Sequence, residues 1–287
     1  MASQRSVVQL GARTSLLMGV DFVPLPARPA SSTPAVADTM AAPGLTPSAG
    51  SPAHRPAAAP AAAWATLPPL VGPRAAKSRE AAHGELEAIR TRYLADAPHN
   101  QFNTTFTNIV FGEGDPRARL MFIGEAPGAD EDRTGRPFVG KAGQLLEKMM
   151  AAMGLRREEV YIANVLKTRP PDNATPTSFE IDLCKMYLFD QVAAVMPEVI
   201  VTLGLPASRT VLSAEPGASM ASMRGRWAEF RHPDELRFAH VRVPVMPTFH
   251  PAYLLRAYTE ENRAKVWSDL RMVMERLGML GGQPGGA

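Results

Sequence analysis

The chain has 287 residues, of which 45% are hydrophobic, and a formal net charge of +3. No run of about 20 apolar residues occurs, which excludes a membrane-spanning helix. The only cysteine is Cys184, so an internal disulfide framework is excluded as well. We therefore expect a cytoplasmic protein without a membrane partner. The small excess of basic residues does not by itself indicate a nucleic-acid partner.

Residues 1–77 differ in composition from the rest of the chain. They are rich in Ala, Pro, Ser and Gly and show no period of 2 or 3.6 residues. Such a stretch cannot bury enough apolar surface to offset the entropy lost on ordering. An apolar patch at residues 16–20 is shorter than the hydrophobic region of a usual secretion signal. We predict a disordered tail over residues 1–77 and one folded domain over residues 78–287.

The remaining sequence alternates between helical and strand-like patterns. An amphipathic helix is predicted over residues 78–95, where apolar residues recur at helical spacing. Four apolar runs follow, at residues 120–123, 160–165, 199–203 and 241–246. Helical patterns lie between them and after them, at residues 142–153, 177–196, 206–212 and 260–277. Strands alternating with helices predict an α/β fold with a parallel sheet covered on both faces.

Polar side chains follow three of the predicted strands. Glu125 comes after the first strand, Asn164 ends the second, and the fourth leads into Phe249 and His250. The carboxyl ends of parallel strands share one edge of the sheet, where α/β proteins place their ligand sites. The sequence therefore predicts a functional site at this edge.

Four segments carry a more specific signal. They are GEAPGADED at residues 124–132, GRPFVGKAG at 135–143, NVLK at 164–167 and HPAYLLR at 250–256. In order and spacing they resemble the motifs of the family 4 uracil-DNA glycosylases, and the resemblance extends from about residue 102 to residue 278. It implies a three-layer α/β/α fold with a four-stranded, mostly parallel central sheet.

The resemblance also implies an activity. The enzyme would hydrolyse the bond between uracil and deoxyribose in single- or double-stranded DNA, releasing uracil and leaving an abasic site for base excision repair. We expect a monomer. The base must leave the stack, meet an aromatic face and form hydrogen bonds along its edge. The resemblance assigns stacking to Phe138 and edge recognition to Asn164, and it places Gly124 and Ala126 in the uracil pocket.

The resemblance implies catalytic roles for His250 and for a carboxylate. His250 would bond the uracil oxygen that becomes anionic. Classical uracil glycosylases have an aspartate where Ala126 stands, a departure that family 4 shares. The water-activating group is therefore open among Glu125, Glu131 and Asp132, and we favour Glu131, with Glu125 close behind.

Basic residues in or near these segments are candidates for phosphate contacts on either side of a flipped nucleotide. The DNA-binding set that we select is Arg136, Lys141, Lys167, Arg226 and Arg256. Each of them is individually also compatible with an ordinary solvated surface charge.

The chain departs from the family at the metal site. Family 4 enzymes hold an iron–sulfur cluster with four cysteines, and the corresponding positions here are close to Ala97 and Asn100, at Thr168 and at Cys184. Because a cluster needs thiolates at nearly every corner, one cysteine cannot hold it. We predict no cluster and no other cofactor or metal, with packing that involves Phe102, Phe106 and Tyr187 in its place.

Three alternatives accompany this interpretation. A related branch traps its product on a histidine, but no histidine lies between His99 and His232, so we expect ordinary turnover without a covalent intermediate. Residues 135–141 nearly spell a phosphate-binding loop, yet Ala142 stands where a magnesium-binding hydroxyl is needed and no strand is predicted directly before Gly135. The third alternative is a protein that binds uracil or abasic DNA without cleaving it.

Overall fold

A computed structural model describes residues 77–280 of the chain. The predicted tail lies outside this range except for Lys77, so the prediction of disorder stays a prediction. Within residues 77–280, no helix is both long enough and apolar enough to cross a membrane.

The centre of the molecule is a mixed β-sheet of six strands in the order β1-β3-β2-β4-β6-β5. The inner four strands pair in parallel, and the outer two pair antiparallel to their neighbours. The strands are β1 Glu113–Gly114, β2 Leu120–Gly124, β3 Tyr161–Asn164, β4 Val199–Leu203, β5 Ala228–Arg231 and β6 Arg242–Thr248.

The four predicted strands are the inner, parallel ones, and their prediction is confirmed. The strand count of four was wrong, because two edge strands complete the sheet. β1 has only two residues and no apolar alternation, and β5 has a single buried position. Edge strands of this kind carry little hydrophobic pattern, because they are short and few of their side chains are fully buried.

Within residues 77–280, five helices lie within a residue or two of their predicted positions, and four short helices were not predicted. In chain order they are α1 Arg79–Asp96, α2 Ala129–Thr134, α3 Lys141–Ala152, α4 Ser178–Val195, α5 Leu205–Leu212, α6 Met220–Met223, α7 Glu235–Phe238, α8 Pro251–Arg256 and α9 Glu260–Arg276. Side-chain caps fix the starts of the three longest helices: Ser78 accepts from Ala81 N–H before α1, and Thr177 and Thr259 cap α4 and α9 in the same way.

The helices form two layers around the sheet. α1, α4 and α5 contribute to the core on one face together with Met121 and Ile123 of β2. α3 and α8 pack together, and α9 packs on β6, on the other face. Every residue of β2, β3 and β4 is buried, as expected for strands covered on both faces. The arrangement is the predicted three-layer α/β/α fold.

Candidate active site

A cleft of about 860 Å³ opens at the carboxyl edge of the inner strands. Each of these strands delivers a lining residue: Glu125 follows β2, Asn164 ends β3, Gly204 follows β4 and His250 lies beyond β6. The polar residues that follow three separate strands in the sequence therefore come together in space.

Backbone hydrogen bonds hold these strand ends in register. Val165 N–H donates to Gly124 O over 3.0 Å, and Leu166 N–H donates to Glu125 O over 3.1 Å. On the other side of the cleft, Gly204 N–H donates to Thr248 O over 2.9 Å. The backbone hydrogen bonds between strands thus continue beyond the strand ends, and they fix the main chain from which the lining side chains extend.

Phe138 forms an aromatic wall of the cleft and is only 5% exposed. Its ring lies directly against β2, because a Cβ atom on Gly124 would stand 2.5 Å from Phe138 Cζ. A Cβ on Gly143 would stand 2.0 Å from the carbonyl carbon and oxygen of Phe138. Both glycines therefore make room for this residue. The ring of His250 lies 5.7 Å from that of Phe138, measured between centroids, at 32°.

Asn164 is a polar residue at the end of the fully buried strand β3. It is 1% exposed, and within the described part of the chain its Oδ1 has no hydrogen-bond partner. The same oxygen would stand 2.3 Å from a Cβ on Gly124, so this glycine also makes room for the amide. A buried acceptor without a donor costs about 1–3 kcal/mol. Because Asn164 lines the cleft, a ligand with an N–H group can supply the missing donor.

His250 is held as a neutral imidazole. Ala252 N–H donates to its Nδ1 over 3.0 Å, which places the ring proton on Nε2. Burial, with a smaller effect of the Arg256 charge, lowers the pKa of His250 to about 4. The ring is therefore a hydrogen-bond donor through Nε2 at neutral pH.

The two favoured carboxylates have different surroundings, although both line the cleft. Glu131 accepts hydrogen bonds from Val139 and Gly140 N–H, each over 2.8 Å, and from Gly128 N–H over 3.2 Å. It thereby ties the start of α2 to the start of α3. Burial raises the pKa of Glu125, although a hydrogen bond with Thr175 acts in the opposite direction.

The third acidic candidate, Asp132, is buried away from the cleft. Its Oδ1 accepts from Thr107 N–H over 2.7 Å and from Asn108 N–H over 3.0 Å. Its backbone oxygen accepts from the Asn108 side chain over 2.7 Å. Asp132 thus holds the loop before β1 against α2 and does not reach the cleft lining.

The expected phosphate contact of Lys167 is wrong. Lys167 is fully buried, and its Nζ donates to Asn164 O over 2.7 Å and to Gln191 Oε1 over 2.5 Å. Burial lowers its pKa to about 7. The side chain points into the space between β3 and α4, where DNA cannot reach it, and it supports the backbone of Asn164.

The other basic candidates lie at the surface, with different surroundings. Arg256 is exposed and lines the cleft, whereas Lys141 and Arg226 are exposed outside its lining. Arg136 is exposed but engaged in a two-pronged pair with Glu113, over 2.8 and 2.9 Å. Arg209 of α5 lines the cleft and donates to Ala218 O. It belongs to none of the motifs, so sequence analysis missed it.

The near-match to a phosphate-binding loop does not have the required structure. Gly135 ends helix α2 with φ +71°, and its N–H donates to Glu131 O. A helix thus precedes the segment where a phosphate-binding loop needs a strand. The NTPase alternative is excluded on this ground.

The residues at the family's cluster positions do not fit an iron–sulfur cluster. Cys184 is buried and is the only thiol of the chain. Within residues 77–280, no group of three or more His, Cys, Asp or Glu side chains is placed to hold a metal ion. Aromatic packing occupies this region: His99 stacks on Tyr93 at 5.4 Å and meets Phe106 edge-on at 4.9 Å.

Two further expectations concern the same region. Tyr187 packs edge-on against Tyr93 at 5.0 Å, and its hydroxyl donates to Asp96 over 2.6 Å. Phe102 packs against the core from its margin. All three residues named from the sequence therefore contribute to packing here, together with Tyr93 and His99, which the sequence did not single out.

Fold and cleft together define a class: three-layer α/β proteins whose cleft, at the carboxyl edge of the sheet, presents an aromatic wall, an amide and a neutral imidazole. Comparison with known proteins makes the assignment specific. The family model of the uracil DNA glycosylase superfamily matches residues 111–271. This chain therefore belongs to the uracil-DNA glycosylase superfamily.

Individual relatives agree with this assignment. The type-4 uracil-DNA glycosylase of Thermotoga maritima is 43% identical over 164 residues, which cover 57% of this chain and 80% of the relative. That of Archaeoglobus fulgidus is 41% identical over 176 residues, covering 61% and 84%. The type-5 enzyme of Pyrobaculum aerophilum is 35% identical over 156 residues, covering 49% and 64%.

Proposed function

We propose that this protein hydrolyses the N-glycosidic bond of uracil in DNA and leaves an abasic site, as the first step of base excision repair. The observation that carries the proposal is Oδ1 of Asn164, which has no hydrogen-bond partner within residues 77–280 and is buried at the end of β3 in a cleft walled by Phe138. The superfamily membership and the names of the type-4 relatives support the same activity.

Recognition of uracil follows from the chemistry of an amide. With the nucleotide flipped out of the stack, the base lies against Phe138. Asn164 Oδ1 accepts from the ring imino N–H, and its amide nitrogen donates to a uracil carbonyl. Cytosine presents an acceptor at the ring nitrogen and a donor at the amino group, so both contacts would be mismatched. A site with unpaired buried polar groups rejects such an analogue strongly.

Bond cleavage leaves negative charge on uracil and positive charge on the sugar. The neutral imidazole of His250 donates through Nε2 to the uracil oxygen that becomes anionic. No proton needs to leave the histidine for this step. The donor is fixed in place before the reaction, because Ala252 N–H orients the ring through Nδ1.

For the water-activating carboxylate we now propose Glu125, with Glu131 as a positioning residue. Glu131 already accepts from the three backbone N–H groups of Gly128, Val139 and Gly140, which leaves little capacity to orient water. Glu125 lines the cleft, and its raised pKa makes it a stronger base than an exposed glutamate. Its ionised form also stabilises positive charge on the sugar electrostatically.

DNA is held by basic side chains around the cleft. We assign phosphate contacts to Arg256 and Arg209 at the lining and to Lys141, Arg136 and Arg226 outside it. Arg136 can serve only while sharing its charge with Glu113. The enzyme works without an iron–sulfur cluster and without covalent trapping, because the chain has one cysteine and no histidine between His99 and His232. A monomer is part of the same proposal.

The decisive experiment treats the protein with a uracil-containing oligonucleotide and then with alkali, which cuts the strand at abasic sites. Single strands and U·G and U·A duplexes are compared with a thymine control. We expect scission at uracil only. A gel shift without scission would instead support the binding-only alternative.

A separate measurement tests the absence of a cluster. Freshly purified protein should lack an absorbance band at about 400 nm, which an iron–sulfur cluster would produce.

Two variants test the assigned roles. His250→Ala should lower the single-turnover rate by about 100-fold or more, as removal of an oxyanion donor does elsewhere, with a smaller effect on DNA binding. His240→Ala, at an exposed position, is the matched control.

Asn164→Asp should weaken the preference for uracil over cytosine. Wild-type activity and selectivity in both variants would refute the site.

A further inference from the structure

Arg157 is a nearly buried arginine outside every motif. It begins the 3₁₀ turn Arg157–Glu159 just before β3, and its side chain is 12% exposed. Its Nη1 donates to Phe138 O over 2.9 Å, and its Nη2 donates to Pro137 O. One guanidinium therefore holds two consecutive carbonyl groups of the loop that carries the aromatic wall.

That loop has a backbone conformation that needs support. Phe138 has φ +52°, in the left-handed region that residues with a side chain rarely adopt. Such residues persist only where their surroundings over-determine them. Pro137 restricts its own φ, and Gly143 lets the helix approach, but neither provides a hydrogen bond to the loop carbonyls. Arg157 does.

Glu113 fixes the guanidinium from behind. Arg157 Nε donates to Glu113 Oε1 over 2.5 Å, and Arg136 donates to both oxygens of the same carboxylate. Burial raises the pKa of Glu113, but the hydrogen bonds from the two arginines outweigh it, so that the pKa is lowered. Glu113 lies on β1, which pairs with β3, so the clamp is built on the sheet.

We propose that Arg157, anchored by Glu113, is a positioning residue that holds the Phe138 ring in its stacking position. It touches neither the base nor the sugar and acts through the loop. This inference rests on the proposed function, because it assigns Phe138 to uracil stacking.

The test compares Arg157→Met with Arg157→Lys in the full chain. The matched control is Arg156→Met, at the neighbouring exposed arginine. Inhibition of cleavage by free uracil reports on base binding, and affinity for an oligonucleotide with a tetrahydrofuran abasic analogue reports on backbone binding. We expect Arg157→Met to weaken uracil inhibition about tenfold, the scale of a lost stacking contact. Affinity for the base-free analogue should stay within about twofold, and Arg157→Lys should recover part of the loss.

A double-mutant cycle with Phe138→Ala separates positioning from general damage to the fold. Misplacement of a contact by about 1 Å can lower a rate by about 100-fold, so Arg157→Met should slow single-turnover cleavage about 10- to 100-fold in wild type. In the Phe138→Ala background its effect should shrink to about twofold or less. If Arg157→Met does not fold, Glu113→Gln replaces it in the same cycle.

The outcomes are distinct. Equal losses in both backgrounds, or loss of affinity for the abasic analogue together with uracil, would overturn the positioning role. An active wild type with an unaffected Arg157→Met would overturn it as well, and leave the proposed function intact. A wild type that releases no uracil from any substrate would contradict the proposed function itself.

Discussion

His250 is a half-buried side chain whose protonation depends on desolvation and on two neighbours, Ala252 and Arg256. The Ala252 N–H occupies Nδ1, and burial beside Arg256 opposes a positive charge. Since its pKa lies near 4, the ring should stay neutral at the near-neutral pH at which the protein would act on DNA. The neutral ring can therefore donate a hydrogen bond through Nε2 without acting as a general acid.

The first prediction concerns this ring. In ¹⁵N NMR spectra, the His250 imidazole should show the Nε2–H tautomer and no titration between about pH 5 and pH 8, unlike an ordinary histidine with a pKa of about 6.5. His250→Gln identifies the signal by its loss. A midpoint near pH 6.5 would show that the ring is not held as described.

Lys167 gives a second prediction, on stability. The pKa is about 7 in the folded protein and about 10.4 in an unfolded chain. Between these values the unfolded chain binds a proton that the folded chain lacks, so the free energy of unfolding rises with pH. Below about pH 7 both states bind the proton, and the contribution is constant.

Urea denaturation at several pH values checks this expectation. The stability of wild type relative to Lys167→Met should increase from pH 7 to about pH 10 and should be flat from pH 5 to pH 7. Lys141→Met, at an exposed lysine, should show no such slope relative to wild type. A difference that does not change with pH would contradict the lowered pKa.

Among the secondary-structure elements, α3 approaches the Phe138 loop through Gly143. Substitution Gly143→Ala would place a methyl group 2.0 Å from the carbonyl of Phe138, so either the helix or the loop must move. Overpacking of this kind costs about 1–3 kcal/mol. We expect a lower midpoint of thermal unfolding and weaker inhibition by free uracil.

Gly84→Ala is the matched control for this change. Gly84 lies on an exposed face of α1, and an added Cβ would meet nothing within 4 Å. Alanine there should raise stability by about 0.4–1 kcal/mol, since it restricts the unfolded chain and favours the helix. If both alanine variants were equally stable, the close approach of α3 to Phe138 would not hold.

Elements with a long apolar pattern were predictable from the sequence, whereas the short helices α2, α6, α7 and α8 were not. The inner strands are buried on both faces, and Ser78, Thr177 and Thr259 mark helix starts. β1 and β5 were missed because short edge strands have neither signal.

Within the site, the sequence motifs predicted which residues lie there but not which contacts each side chain makes. Asn164 and His250 lie where strand ends predicted them, because the sheet edge is set by the same apolar runs. Lys167 follows Asn164 by three residues, yet it points inward to Gln191, a contact made across 24 positions of the chain. Arg157 belongs to no motif, because its role depends on the backbone of Phe138.

On the scale of the whole molecule, every residue of the proposed site lies between Glu113 and Arg256. We therefore predict that deletion of residues 1–76 leaves kcat/KM for a uracil-containing oligonucleotide within about twofold of the full chain, because none of the residues that we assign to the site lies in that segment. Steady-state assays of both proteins measure this. A loss of tenfold or more would assign the segment a part in substrate binding.

Lys77 directly precedes the N-cap of α1, and its position has a practical consequence. Its Nζ donates to Ala193 O and Ala194 O at the end of α4, which precedes β4. The chain therefore enters the domain at the amino edge of the sheet, while the cleft opens at the carboxyl edge. In a protein shortened to begin at Lys77, a fluorophore or surface tether attached at that residue would lie away from the cleft, which suits this domain to immobilised or single-molecule assays of base release.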